Sequence, residues 1–128
     1  MDLRIVDIRR RVAREGVASP DDIDAIDDIL EAEGVSVELL ILRGQLIQLV
    51  ADGRADELEE AFACYQEAVE LDPASAEAHE EIGHFLDDVA EDPREAAIFF
   101  RKAIELGAGP SAHEGLLEVL AQLESEEP

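Results

Sequence analysis

Glu80, His84, Asp87 and Asp88 set one imidazole among three carboxylates within a short stretch of the chain. Glu80 stands four residues before His84, and Asp87 and Asp88 stand three and four after it. Those steps bring side chains onto one face of a helix. Two readings are open. Carboxylates flanking an imidazole can ligate a divalent cation, and the same residues can be a polar face turned to solvent. The single cysteine, Cys64, lies in AFACYQEA and reads as a small buried side chain. A reactive thiol needs a cationic neighbour, and none stands near it in sequence. His79 and His113 each sit in the triplet Ala-His-Glu, 34 residues apart, which favours a structural role over catalysis.

Other chemistry is not signalled. The chain has no G-x-S-x-G elbow, phosphate-binding loop, G-x-G-x-x-G or H-E-x-x-H. The stretch DDIDAIDDILE lacks the glycine and oxygen-ligand spacing of a calcium loop. Its isoleucines make a helix face instead. Carboxylates are abundant, but nothing singles out an acid/base pair. No cofactor is expected.

Charge is the extreme feature: 33 acidic against 10 basic residues, a net of −23. Residues 1–14 hold five arginines against two aspartates, a net of +3, which leaves −26 on the remainder. So acidic a body argues against binding nucleic acid. It favours basic partners, or serves solubility alone. No apolar run reaches the ~18 residues of a membrane span. The N-terminal run lacks the apolar centre of a secretory signal, so a cytoplasmic protein is expected.

Helical periodicity separated by short breaks predicts an all-α chain. Helices are expected over 3–15, from Ser19-Pro20 to Gly34, and over 37–52, 56–71 and 75–91. A sixth should run from Asp92-Pro93 to about Glu105 and a seventh from Pro110 to about Leu123, with a frayed ESEEP tail. Serine or aspartate before the helix, proline in its first turn and glycine after its end mark most of these limits.

The chain also repeats itself. Ala61, Tyr65, Ala68 and Leu71 recur 35 residues later as Ala96, Phe100, Ala103 and Leu106, at steps of four, three and three. Gly44 and Gly83 each sit in mid-helix ahead of such a face. A mid-helix glycine costs about 1 kcal/mol against alanine, so both suggest close approach between helices. Over about residues 36–123 the pattern resembles the tetratricopeptide repeat (TPR), a 34-residue helix–turn–helix unit. It departs where Leu40, His79 and His113 stand in place of an early tryptophan. It departs again in the spacing from Gly44 to Ala61, which is longer than that from Gly83 to Ala96. Ala25, Ile29 and Ala32 leave residues 1–35 open between a degenerate repeat and an unrelated helical hairpin.

The resemblance implies a right-handed superhelix of antiparallel helix pairs, a TPR-like α-solenoid of about seven helices. Repeats would span 36–74 and 75–109, with residues 110–128 a capping helix and acidic tail, all in one domain. It also implies a concave face lined by the first helix of each unit. On this sequence that face maps to Glu38, Ile41, Gln45 and Gln48, then Glu77, Glu80, His84, Asp87 and Asp88, then Ser111, Glu114 and Glu118. The Lys, Arg and Asn that clamp a C-terminal carboxylate in some members are absent there. The expected partner is therefore a protein or peptide segment that is basic or amphipathic. A scaffold, adaptor or chaperone-like module follows, and a metal-dependent protein or enzyme built on Glu80, His84 and Asp87 is the alternative. Arg9, Arg10 and Arg11 would either face solvent or dock on the acidic body of the same chain or of a second copy, the latter giving a homodimer.

Overall fold

The computed structural model describes residues 2–51 and 54–126, with the side chain of residue 51 left out. Among them are seven α-helices and no strand: α1 Leu3–Glu15, α2 Pro20–Glu33, α3 Val37–Ala51, α4 Ala55–Leu71, α5 Ala76–Asp88, α6 Pro93–Glu105 and α7 Pro110–Glu126. The all-α, helical-repeat class is the one expected.

Local chemistry sets the ends. The Asp2 carboxylate accepts the Arg4 amide at 2.9 Å, Ser36 Oγ that of Leu39 at 3.2 Å, and Ser75 Oγ that of Ala78 at 3.2 Å. Each satisfies an amide that the first turn leaves unpaired. Gly16 closes α1 in the left-handed conformation that glycine adopts without strain (φ 70°).

Two expected limits shift. α5 stops at Asp88, because the Ala90 and Asp92 amides fold back onto the Phe85 and Leu86 carbonyls. Glu91 then takes a positive φ of 53°, and the Asp92 carboxylate caps the first turn of α6. α7 runs on to Glu126, so residues 124–126 of the expected frayed tail are helical. The expected stop at Asp52-Gly53 and the last two residues of the tail lie outside the described residues.

The chain divides into two compact units, Met1–Cys64 and Tyr65–Pro128, with the boundary inside α4. The core of the first joins Ile8 of α1, Ile26 and Ile29 of α2, and Leu39, Leu42 and Leu46 of α3. α3 is apolar on nearly every side and is accordingly buried. In the second unit α6 packs against both α5 and α7, and α5 also touches α7.

The repeated face is core. Ala61, Tyr65, Ala68, Ala96, Phe100 and Ala103 are all fully buried. Leu71, the last residue of α4, is half exposed instead. In the first unit the corresponding spacing holds less well: Ile29 is buried, Ala25 is half-buried and Ala32 is exposed.

Candidate functional site

In the second unit, capping by Ser75 starts α5 so that Glu80, His84 and Asp87 fall on one side of it. Pro110 starts α7 with Ser111 in its first turn. His84 Nε2 lies 3.2 Å from Glu80 Oε2 and 3.2 Å from Ser111 Oγ. The imidazole stands edge-on to the buried Phe100 ring, centroids 4.9 Å apart. One helical turn on, the Gln122 side-chain amide donates to Asp87 Oδ1 at 3.0 Å. Polar contacts therefore link the α5 face to α7 at two levels.

Serine, histidine and glutamate meet here, yet not as a nucleophilic relay. A relay needs one ring nitrogen on the hydroxyl and the other on the carboxylate. Here Glu80 and Ser111 approach the same nitrogen. A ring that donates Nε2–H to Glu80 cannot at once take the Ser111 proton there. Among the described residues no three His, Cys, Asp or Glu side chains converge as a metal site would require.

The other expected positions divide by exposure. Glu77, Asp88, Glu114 and Glu118 are exposed, and Gln45 and Gln48 are half-buried. Ile41 is 2% exposed, a core residue with no surface to offer a partner. Glu38 is exposed and pairs with Arg9 at 3.1 Å.

His79 and His113 tie their helices to the loops before them. His79 Nε2–H donates to the Pro73 carbonyl at 2.9 Å, and its ring stacks on Phe99. His113 Nδ1–H donates to the Gly109 carbonyl at 3.1 Å.

Two arginines carry the electrostatics of the first unit. Arg43, the one cation in apolar α3, donates to Asp27 at 2.6 Å, Glu60 at 2.9 Å and Cys64 Sγ at 3.2 Å. Burial alone would lower its pKa, but the hydrogen bonds to Asp27, Cys64 and Glu60 outweigh that cost and hold the guanidinium above its ordinary value. Cys64 is buried as expected, but its cationic neighbour is Arg43, far off in sequence. The signal available was the lone cation in VELLILRGQLIQLVA, which must reach a carboxylate once buried.

Arg11 of α1 forms a two-point ion pair with Asp22, whose carboxylate also accepts the Ser19 amide at 2.9 Å at the start of α2. The Arg11 hydrogen bonds hold the Asp22 carboxyl below the usual range, against the opposing effect of burial. Arg9 and Arg11 thus meet acids of their own chain, while Arg10 is exposed.

Residues 55–86, spanning α4 and most of α5, match the family model of the TPR repeat. A search of curated proteins finds no sequence match to the chain. No helix among the described residues is long and apolar enough to cross a membrane.

Proposed function

From the premise that this is a TPR-like helical-repeat chain, we propose that it is a non-enzymatic module that holds a basic or amphipathic protein segment against its acidic face. The observation that carries the reading is the α5 face. Glu77 and Asp88 are exposed, Glu80 and Asp87 are held in place by His84 and Gln122, and among the described residues no lysine or arginine is paired with any of the four. Pre-positioned carboxylates raise the rate and selectivity of encounter with a basic partner more than raw affinity. Glu114 and Glu118 extend the same charge along α7. In the first unit Glu38, Gln45 and Gln48 are the remaining candidates.

Scaffold, adaptor and chaperone-like roles all use this surface. A homodimer through α1 would require its arginines to exchange Asp22 and Glu38 of their own chain for those of a second copy.

A labelled helical peptide with arginines on one face and leucines on the other tests the reading by fluorescence anisotropy. Wild type should bind it in a salt-sensitive manner. The variant Glu77→Gln/Glu80→Gln/Asp87→Asn/Asp88→Asn should bind at least about tenfold more weakly. Equal binding by the two would remove the α5 face from the account.

A further inference from the structure

α1, with five arginines against Asp7 and Glu15, is the most basic helix of an acidic chain, and it is amphipathic. Ile5, Ile8 and Val12 follow at steps of three and four and pack on the α2–α3 core of Ile26, Ile29, Leu39, Leu42 and Leu46. Arg11 and Arg9 flank that stripe and meet Asp22 and Glu38. α1 thus sits on its own chain as a basic amphipathic helix sits on an acidic apolar face.

The attachment is slight. Of the 13 residues of α1 only Ile8 is fully buried, and the Arg9–Glu38 pair is exposed on both sides, so water screens it. The contact is also incomplete. A cavity of about 260 Å³ lies at its edge, bounded by Ile5 and Leu39 below and by Asp2, Glu33 and Glu38 at the rim. Residues 16–19, non-helical, connect α1 to α2. Gly16 closes α1 there in a left-handed φ.

We propose that α1 is a displaceable internal occupant, and that the α2–α3 face beneath it receives a basic amphipathic helix from another protein. The occupant's pattern is written in α1: apolar residues at positions 1, 4 and 8, with arginine at positions 5 and 7. The Asp22 carboxylate reads position 7 and Glu38 reads position 5. A competing internal helix weakens an external ligand by the fraction of chains in which the face is open. The module therefore binds well only where the incoming helix outmatches α1. The inference shares with the proposed function its basic amphipathic class of partner, but it concerns a different face.

The test uses the full chain and a fluorescein-labelled peptide carrying the sequence of residues 2–16. Arg11→Glu sets two carboxylates against each other and opens the face in cis while leaving Asp22 intact for the peptide. The peptide should bind the Arg11→Glu chain at least tenfold more tightly than wild type, and adding Asp22→Asn should abolish that gain. A scrambled peptide of equal charge should bind weakly. An Arg11→Glu chain that keeps its helical circular dichroism yet binds no better than wild type would overturn the proposal, as would equal binding of the scrambled peptide.

Hydrogen exchange on the unaltered chain gives an independent reading if that variant fails to fold. Amides of α1 should exchange through a local opening while those of α2 and α3 stay protected. Equal protection of all three would mean that α1 leaves only when the unit unfolds, and the proposal would fall. A wild-type dimer that trades α1 between copies would also overturn it, assigning the face to a second copy. With the four α5 amide substitutions present in both chains, so that binding at α5 is removed, the tenfold gain of Arg11→Glu over the chain that keeps Arg11 should persist, so failure of the α5 reading and failure of this one are separable.

Discussion

Phe100 rests against Gly83 where a side chain would otherwise begin: a Cβ at Gly83 would stand 2.8 Å from Cδ1 and Cε1 of the ring. The same ring fills the space over Gly115, where a Cβ would lie 2.6 Å from Cζ. One fully buried aromatic from α6 is thus seated between bare positions on α5 and α7. The ring also supports His84 edge-on, so the core contact and the polar face of α5 are set by the same residue.

Gly83→Ala therefore places two effects in opposition. Alanine favours the helix by about 1 kcal/mol, while overpacking a filled core costs about 1–3 kcal/mol. The ring is fully buried and already fills the space over Gly115, so overpacking should win. Gly83→Val, bulkier and β-branched, should cost about 1–3 kcal/mol. A lowered urea midpoint, partly restored by adding Phe100→Leu, is the expected result. An unchanged midpoint would mean the ring is not held there.

Arg43 should not tolerate replacement by lysine. Its fork serves Asp27, Glu60 and Cys64 at once, and an ammonium is a point charge on a flexible stem. Arg43→Ala removes hydrogen bonds to two half-exposed carboxylates, which water then solvates, together with the packing of the arginine stem, and should cost about 1–2 kcal/mol. Arg43→Lys should recover less than half of that in chemical denaturation.

Asp22 predicts a particular acid limb. Its pKa is lowered in the folded chain, so between the folded and unfolded values the unfolded chain binds more protons. The stabilisation is full above the unfolded value, about 3.9, and is lost as pH falls through the folded one. Asp22→Asn should destabilise by about 1–2 kcal/mol at pH 7, a magnitude typical of a helix-start contact. The difference from wild type should shrink below about pH 3.5, followed by thermal unfolding across that range.

Salt should stabilise the chain. A net of −23 on 128 residues is self-repelling, and raising ionic strength shortens the reach of that repulsion. Tm should rise between low and moderate salt, and a flat or falling Tm would show that the ion pairs of Arg11 and Arg43 dominate instead.

Helix limits were legible because they rest on local chemistry. Ser19-Pro20, Asp92-Pro93 and Gly34 act on their own turns: α2 begins and ends, and α6 begins, where those residues put them. The repeated Ala/aromatic/Ala face was legible for the same reason, since its period is that of the helix that buries it. Gly115 and Arg43 were not. Their importance depends on Phe100 and on Asp27, Glu60 and Cys64, which reach them from other helices. Ile41 shows the opposite case: family register put it on the binding face, and the all-round apolar character of α3 draws it into the core. The pairing of Arg11 with Asp22 fell between, since the charge asymmetry was visible and the partner was not.

The central claim, that the acidic α5 face is the working surface, is most directly tested by affinity capture from lysate of the source organism at low and moderate salt. Wild-type bait would run beside bait in which Glu77, Glu80, Asp87 and Asp88 are changed to their amides. A defined basic protein retained by wild type and lost from the variant, with wild-type retention falling as salt rises, is the predicted result. Equal capture by both baits would contradict it and leave those carboxylates as a solvated surface.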